Sequence, residues 1–287
     1  MAWNLKDRSV VVTGATSGIG KAAAMRLAAT GARLTITSRD EDKGRAVAGE
    51  IASETGAEVA ILAVDFADLG SVRSAAQRYG DTNDDLAVLI NNAGAVFGKR
   101  TTTIDGHETT FATNHLGPFL FTNLLTDLLI SSAPSRVINT SSVAHTYAKE
   151  GILFDDLGFS DRRYKFMEVY GHSKLASILH AAELNARYGN DGVTAAAVHP
   201  GVVKTGLGSG TSLMVRIATM FGGRWMGSPD EGADTIVWLA TEPTLDLSAG
   251  IYFENRKASK STRYARSESQ ARRLWEVSEQ LTAPHKA

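Results

Sequence analysis

There is no cysteine among the 287 residues, which removes disulfides, thiolate nucleophiles and cysteine-ligated zinc. Excess charge of one sign is missing too. Thirty Lys and Arg stand against 31 Asp and Glu, so no global field pulls the chain towards nucleic acid. Long apolar runs are equally scarce. The most apolar stretch, Phe119 to Ile130, is broken by Thr122, Asn123, Thr126 and Asp127, and is too short and too polar to span a bilayer. The opening residues Met1 to Arg8 hold no apolar segment of signal-peptide length. The expectation is a cytoplasmic protein without stable membrane insertion and without a nucleic-acid partner. A hydrophobic content of 43% against 21% charged residues is ordinary for a globular chain and sufficient for a large core.

Short β-rich runs alternate with helical patterns from the start. Ser9–Thr13, Leu34–Thr37, Val59–Val64, Leu86–Ile90, Arg136–Thr140, Val193–Val198 and Gly250–Phe253 read as strands. Between them lie helical spacings, including Glu41–Glu54, Leu69–Tyr79 and a long helix from about Tyr170 to Tyr188. Ser228-Pro229-Asp230-Glu231 reads as a capping box opening a late helix. Ser267–Leu281 places Ala271, Leu274, Trp275, Ser278 and Leu281 on one face. Strands and helices at this spacing imply right-handed crossovers and a parallel sheet covered on both faces. The pattern runs past residue 150 without a linker or repeat, so one α/β domain is expected over residues 1–287.

Gly14, Gly18 and Gly20 follow the first strand and open the first helix. There the backbone can turn sharply and approach a pyrophosphate, whose charge meets the helix N-terminus through Ser17, Gly18, Ile19 and Gly20. Ser38-Arg39 stands where a ribose-binding carboxylate would otherwise sit. Serine and arginine accept a 2′-phosphate, which favours NADP(H) over NAD(H); Asp40 is then read as the cap of the next helix. Asp65, followed by Phe66 at the end of the third strand, could meet the adenine amino group or cap a loop, and chemistry alone leaves both open. Small residues in Asn91-Asn92-Ala93-Gly94 permit close approach to the adenosine ribose.

Tyr170 and Lys174 are four residues apart, hence on one helix face. Bringing a phenol from about 10 towards neutrality requires about 4 kcal/mol. One positive charge at about 4 Å supplies roughly that in an effective dielectric near 20. Lys174, helped by an oxidised nicotinamide ring, is expected to make Tyr170 a proton-transfer group.

Together with Ser142 and Pro200-Gly201, these motifs occur in the order and spacing of the short-chain dehydrogenase/reductases, which the chain resembles over nearly its whole length. The resemblance implies a single-domain, doubly wound Rossmann fold with a seven-stranded parallel sheet. It also implies hydride transfer between NADP(H) and an alcohol or carbonyl of a small molecule. Tyr170 would be the acid/base, Lys174 its partner and a ligand of the nicotinamide ribose, and Ser142 a hydrogen-bond donor to the substrate oxygen. Asn114 would hold a relay water, with Pro200, Gly201, Val203 and Thr205 about the carboxamide. More closely, Phe111–Phe119, Ser141–His145, Tyr170–Ala176, Val198–Val203 and Ala271–Ser278 are similar to the retinol-dehydrogenase-like branch, including WW-domain oxidoreductase relatives. A counterpart of the membrane anchor of animal retinol dehydrogenases is not expected.

The long spacing between Ser142 and Tyr170 places an excess at roughly 151–168, expected to line or cover the substrate cleft. Residues 206–227, rich in glycine and large apolar side chains, are expected to form a substrate lid. From 255 to 287 runs a C-terminal extension with eight Lys or Arg against three Glu, read as a solvated surface. His115, His145, His172 and His199 lack acidic partners at ligand spacing and are read as packing or backbone-bonding residues, with no metal site. Self-association into a homo-oligomer is left open. A nucleotide-sugar epimerase would share Tyr-x-x-x-Lys but carry a different glycine pattern. A non-catalytic cofactor sensor has no chemical need for Asn114, Ser142, Tyr170 and Lys174 together.

Overall fold

The computed structural model describes residues 3–201 and 227–285. Its strands are β1 (Ser9–Val12), β2 (Arg33–Ser38), β3 (Val59–Ala63), β4 (Val88–Asn91), β5 (Ser135–Thr140), β6 (Val193–Val198), β7 (Tyr252–Glu254) and β8 (Lys257–Ala258). They form one sheet in the order β3-β2-β1-β4-β5-β6-β7-β8. The first seven run parallel, as the alternation requires. The eighth corrects the seven-stranded expectation. Asn255 and Arg256 take left-handed φ values of 50° and 57°, closing a two-residue turn that folds β8 back antiparallel on β7.

The helices are α1 (Gly18–Ala28), α2 (Glu41–Thr55), α3 (Leu69–Thr82), α4 (Thr109–Phe111), α5 (Gly117–Leu124), α6 (Thr126–Ser131), α7 (Phe166–Tyr188), α8 (Pro229–Thr241) and α9 (Glu268–Thr282). Because strand side chains alternate, the core divides in two. Val11, Leu89, Val137, Ala195 and Tyr252 face α3, α5, α7 and α9. Val10, Val12, Val88, Ile90, Ile138, Ala196 and Phe253 face α1, α2 and α8. Buried apolar area of this kind is the dominant favourable term in folding.

Local chemistry sets the helix ends. Asp40 caps α2 by accepting from the Lys43 amide at 3.1 Å, as read from the sequence, and Gly56 ends it at φ 72°. Ser228 and Glu231 complete the capping box of α8, with Pro229 in its first turn. α9 buries Ala271, Leu274, Trp275 and Ser278, while Leu281 is half-buried. α7 begins four residues ahead of the expected Tyr170, because Met167 and Val169 extend its buried face. β1 pairs with β2 on one side and β4 on the other, so the chain leaves it in opposite directions. A crevice therefore opens beyond the carboxyl ends of β1 and β4.

Candidate active site

The crevice floor is made by backbone. The Thr13 hydroxyl accepts from the backbone amides of Asn92 and Ala93, both at 2.9 Å, and the Asn92 side-chain Nδ2 donates to the Thr13 carbonyl at 3.0 Å. These bonds bind the ends of β1 and β4 together. Gly14 sits at φ 64°, and a Cβ there would lie 2.8 Å from the Ala93 Cα. Gly18, at φ 55°, also takes the left-handed conformation that favours glycine. A Cβ on Gly20 would collide with the Gly14 carbonyl and the Asn92 amide. Ser17 precedes α1 in extended conformation without capping it, and the first turn of α1 holds no acidic residue. Gly18, Ile19 and Gly20 thus begin a helix whose opening amides lack partners within the helix. This set fits a pyrophosphate.

At the ribose end the two expected residues differ. Ser38 is buried, and its hydroxyl is engaged by its own turn, donating to the Asp40 carbonyl at 2.5 Å. Arg39 is exposed and forms no ion pair among the described residues, so its guanidinium is the group available to a 2′-phosphate. The Asp40 carboxylate is taken up by α2 and lies 3.5 Å from the Lys43 ammonium. Asp65 accepts from the Ala67 amide through Oδ1 at 2.9 Å, a loop-capping bond that leaves its second carboxylate oxygen for an adenine amino group. Phe66 does not offer its ring to the crevice: it is buried edge-on against Phe121, 5.8 Å between centroids. Only its backbone remains for a cofactor.

α7, β5 and the turn at Ala112–Leu116 bring the chemical residues together. Gly171 allows α7 to press on the turn after β5, since a Cβ there would lie 2.6 Å from the Ala144 carbonyl. That contact sets Tyr170 beside Ser142. The Ser142 hydroxyl accepts from the Ala144 amide at 3.1 Å, and its carbonyl lies 2.7 Å from His145 Nδ1. The Lys174 ammonium donates to the Thr140 carbonyl at 2.8 Å and lies 5.5 Å from the Tyr170 ring centre. Asn114 clasps Ala95, accepting from its amide at 2.7 Å and donating to its carbonyl at 2.9 Å, and donates to the Ser173 hydroxyl at 3.0 Å. One lone pair of its side-chain oxygen is then left for a water. Gly94 lies between Asn114 and Lys174, a Cβ there falling 3.1 and 3.6 Å from their polar atoms.

The electrostatics revise the expectation for Tyr170. Burial pushes its phenol up to about 12, against the opposing pull of a hydrogen bond with Ser142. Burial also pushes Lys174 down to about 8. The Coulomb attraction reckoned from the sequence omitted the desolvation that both charged forms suffer. The unliganded chain therefore keeps Tyr170 protonated at neutral pH.

Beside the phenol stands an apolar wall, in which Val96, Tyr147, Phe166 and Tyr170 pack about Ala144 and Met167. The stretch from residue 151 is held rather than loose. The Ile152 amide donates to Gln270 at 3.0 Å, Arg162 pairs with Asp156 at 2.9 Å, and Arg100 donates to the Gly158 carbonyl at 2.7 Å. Pro200 is half-buried and Gly201 exposed at the end of β6. Val203, Thr205 and the expected lid, apart from Gly227, lie outside the described residues.

The histidines are bound up in packing. His115 bonds the Ser278 hydroxyl at 2.8 Å, His172 packs edge-on against Phe159, and His199 lies 3.9 Å from Glu254. Among the described residues no group of His, Asp and Glu could hold a metal, and no helix is long and apolar enough to cross a membrane. Sequence reading missed several residues that build the site: Thr13, Gly171, Ser173 and Ser141, whose hydroxyl donates to the Lys174 carbonyl at 2.7 Å. Their adjacency to Gly14, Tyr170, Lys174 and Ser142 was the available signal.

Such a crevice belongs to a dinucleotide-binding α/β protein, and comparison with known proteins narrows the kind. The short chain dehydrogenase model matches residues 8–153. Retinol dehydrogenase 12 of Mus musculus is 42% identical, over 96% of this chain and 87% of its own. A crystal structure of a protein from Mycobacterium paratuberculosis superimposes with a TM-score of 0.74 at 33% identity, covering 99% of this chain and 98% of that one. The Pseudomonas aeruginosa RhlG/NADP active-site complex does so with a TM-score of 0.67 at 26% identity, covering 83% and 91%. The chain belongs to the short-chain dehydrogenase/reductase family of oxidoreductases, in its retinol-dehydrogenase-like branch.

Proposed function

We propose that this protein interconverts an alcohol and a carbonyl on a small apolar molecule with NADP(H), using Tyr170 as acid/base and Ser142 to steady the substrate oxygen. The observation that carries the reading is the meeting of Ser142, Tyr170, Lys174 and Asn114 at the mouth of the Gly14–Gly20 cradle. Arg39 and the NADP named with the Pseudomonas structure support the phosphorylated cofactor.

The nicotinamide, when bound, supplies or takes up the hydride. The chain's residues manage the oxygen. In the reducing direction Tyr170 holds a proton on its phenolic oxygen at neutral pH and passes it to the oxygen of the carbonyl being reduced. The Ser142 hydroxyl, held by the Ala144 amide and bonded to Tyr170, would turn its hydrogen to that oxygen when substrate is present. Lys174 is anchored by Thr140, leaving two of its three hydrogens for the ribose. Gly94, Ala93 and Asn92 form the ridge along which the adenosine half would lie. The apolar wall at Val96, Tyr147 and Phe166 suits a substrate whose body is non-polar.

The test is turnover of a panel of ketones, aldehydes and quinones with NADPH and with NADH. NADPH should be preferred, and Arg39→Ala should shrink that preference on the order of tenfold. Tyr170→Phe should lower kcat by roughly a thousandfold with unchanged NADPH affinity. Retention of more than a few per cent of activity in Tyr170→Phe would refute the acid/base assignment.

A further inference from the structure

Glu108 is a buried carboxylate away from the proton-transfer group, with only 2% of its surface exposed. Its two oxygens accept from the amides of Thr110 at 2.9 Å and Phe111 at 2.7 Å, which caps α4. A third donor reaches it from a distant part of the chain: the Tyr164 phenol donates to Oε1 at 3.0 Å. The same phenol lies 3.4 Å from the Thr110 hydroxyl and 3.4 Å from the Phe97 carbonyl. One hydroxyl therefore joins three segments: the loop after β4, the start of α4 and the approach to α7. Burial is the leading cause that raises this phenol's pKa, so it remains a donor across the working pH range.

Those segments carry the apolar wall. Phe97 follows Val96, and Tyr164 lies two residues ahead of Phe166. Val96 and Phe166 flank Tyr170 about Ala144 and Met167. The preceding stretch is fixed by Arg100 to Gly158 and by Asp156 to Arg162, and the Tyr164 hydroxyl ties its end to the loop after β4 and to α4. We infer that Tyr164 and Glu108 form a latch that sets the width of the substrate wall. They act as positioning residues that decide which carbonyl compounds reach Tyr170. The inference rests on the proposed role of Tyr170 and adds to it the control of substrate size.

Tyr164→Phe removes the hydroxyl and keeps the ring. For a bulky polycyclic ketone its KM should rise on the order of tenfold, because wall contacts position that substrate. For a small aliphatic ketone KM and kcat should stay within about twofold of the parent, with NADPH affinity unchanged. Glu108→Gln, which keeps the shape and loses the charge, should shift the same KM ratio in the same direction. It also serves if Tyr164→Phe does not fold. An unchanged ratio in either folded variant, or an equal shift for both ketones, overturns the latch. A Tyr170→Phe control run beside them separates the two ideas. If it stays active, the acid/base reading fails, whatever the ratio shows.

Discussion

At the cofactor end the crevice is made of backbone, whereas at the chemical end it is made of side chains, Lys174 buried and Tyr170 and Ser142 half-buried. Gly14, Gly18 and Gly20 matter for the Cβ they lack, and Thr13 and Asn92 serve to bring two strand ends together. Tyr170, Ser142 and Lys174 matter for polar atoms whose behaviour depends on how much water they have lost. A steric site is either open or filled. An electrostatic site is graded, and the same burial that positions Tyr170 and Lys174 works against charge on both. The two ends should therefore fail differently when altered.

The larger effect on stability and cofactor affinity is expected at the backbone end. Gly14→Ala puts a methyl 2.8 Å from the Ala93 Cα in a left-handed conformation. Stability should drop by about 1–3 kcal/mol. NADPH binding, followed by fluorescence titration, should weaken roughly a hundredfold, about 2.7 kcal/mol. Unchanged affinity would show that the cradle is not where the pyrophosphate lies.

At the side-chain end, Lys174→Met should behave in the opposite sense. Lys174 is buried and pushed from 10.5 down to about 8, so the folded state binds fewer protons than the unfolded chain between those values. Its burden on stability is full below pH 8 and fades as pH rises towards 10.5. Lys174→Met should therefore be more stable than the parent at pH 7, by on the order of 1–2 kcal/mol after losing the Thr140 bond. That margin should narrow as pH is raised, while activity is lost at every pH. Denaturant melts from pH 7 to 10 would measure it. A margin independent of pH would mean that Lys174 is not desolvated in the folded chain.

The same division explains what could be read from residue order. Alternating strands, the glycine trio after β1 and the Tyr170–Lys174 spacing are local patterns with strong steric or helical periodicity. The Asp40 cap and the Ser228–Glu231 box were legible for the same reason. The β7–β8 hairpin was not, since β8 is two residues long and its turn lacks glycine. Neither was the burial of Phe66, which depends on Phe121 from another helix. Asp65 keeps both readings, because its bond to the Ala67 amide engages only one carboxylate oxygen. The ionisation of Tyr170 and the Tyr164–Glu108 contact depend on parts of the chain brought together only by folding. Val203, Thr205 and most of the expected lid lie outside the described residues.

A spectrophotometric titration of phenolate, taken as the difference between parent and Tyr170→Phe, tests the central point most directly. Without cofactor, no Tyr170 phenolate should form until pH approaches 12. With saturating NADP⁺ its titration should move towards neutrality, as a positive charge comes within reach. A difference signal near pH 7 in the free protein, or none that responds to NADP⁺, would contradict the account.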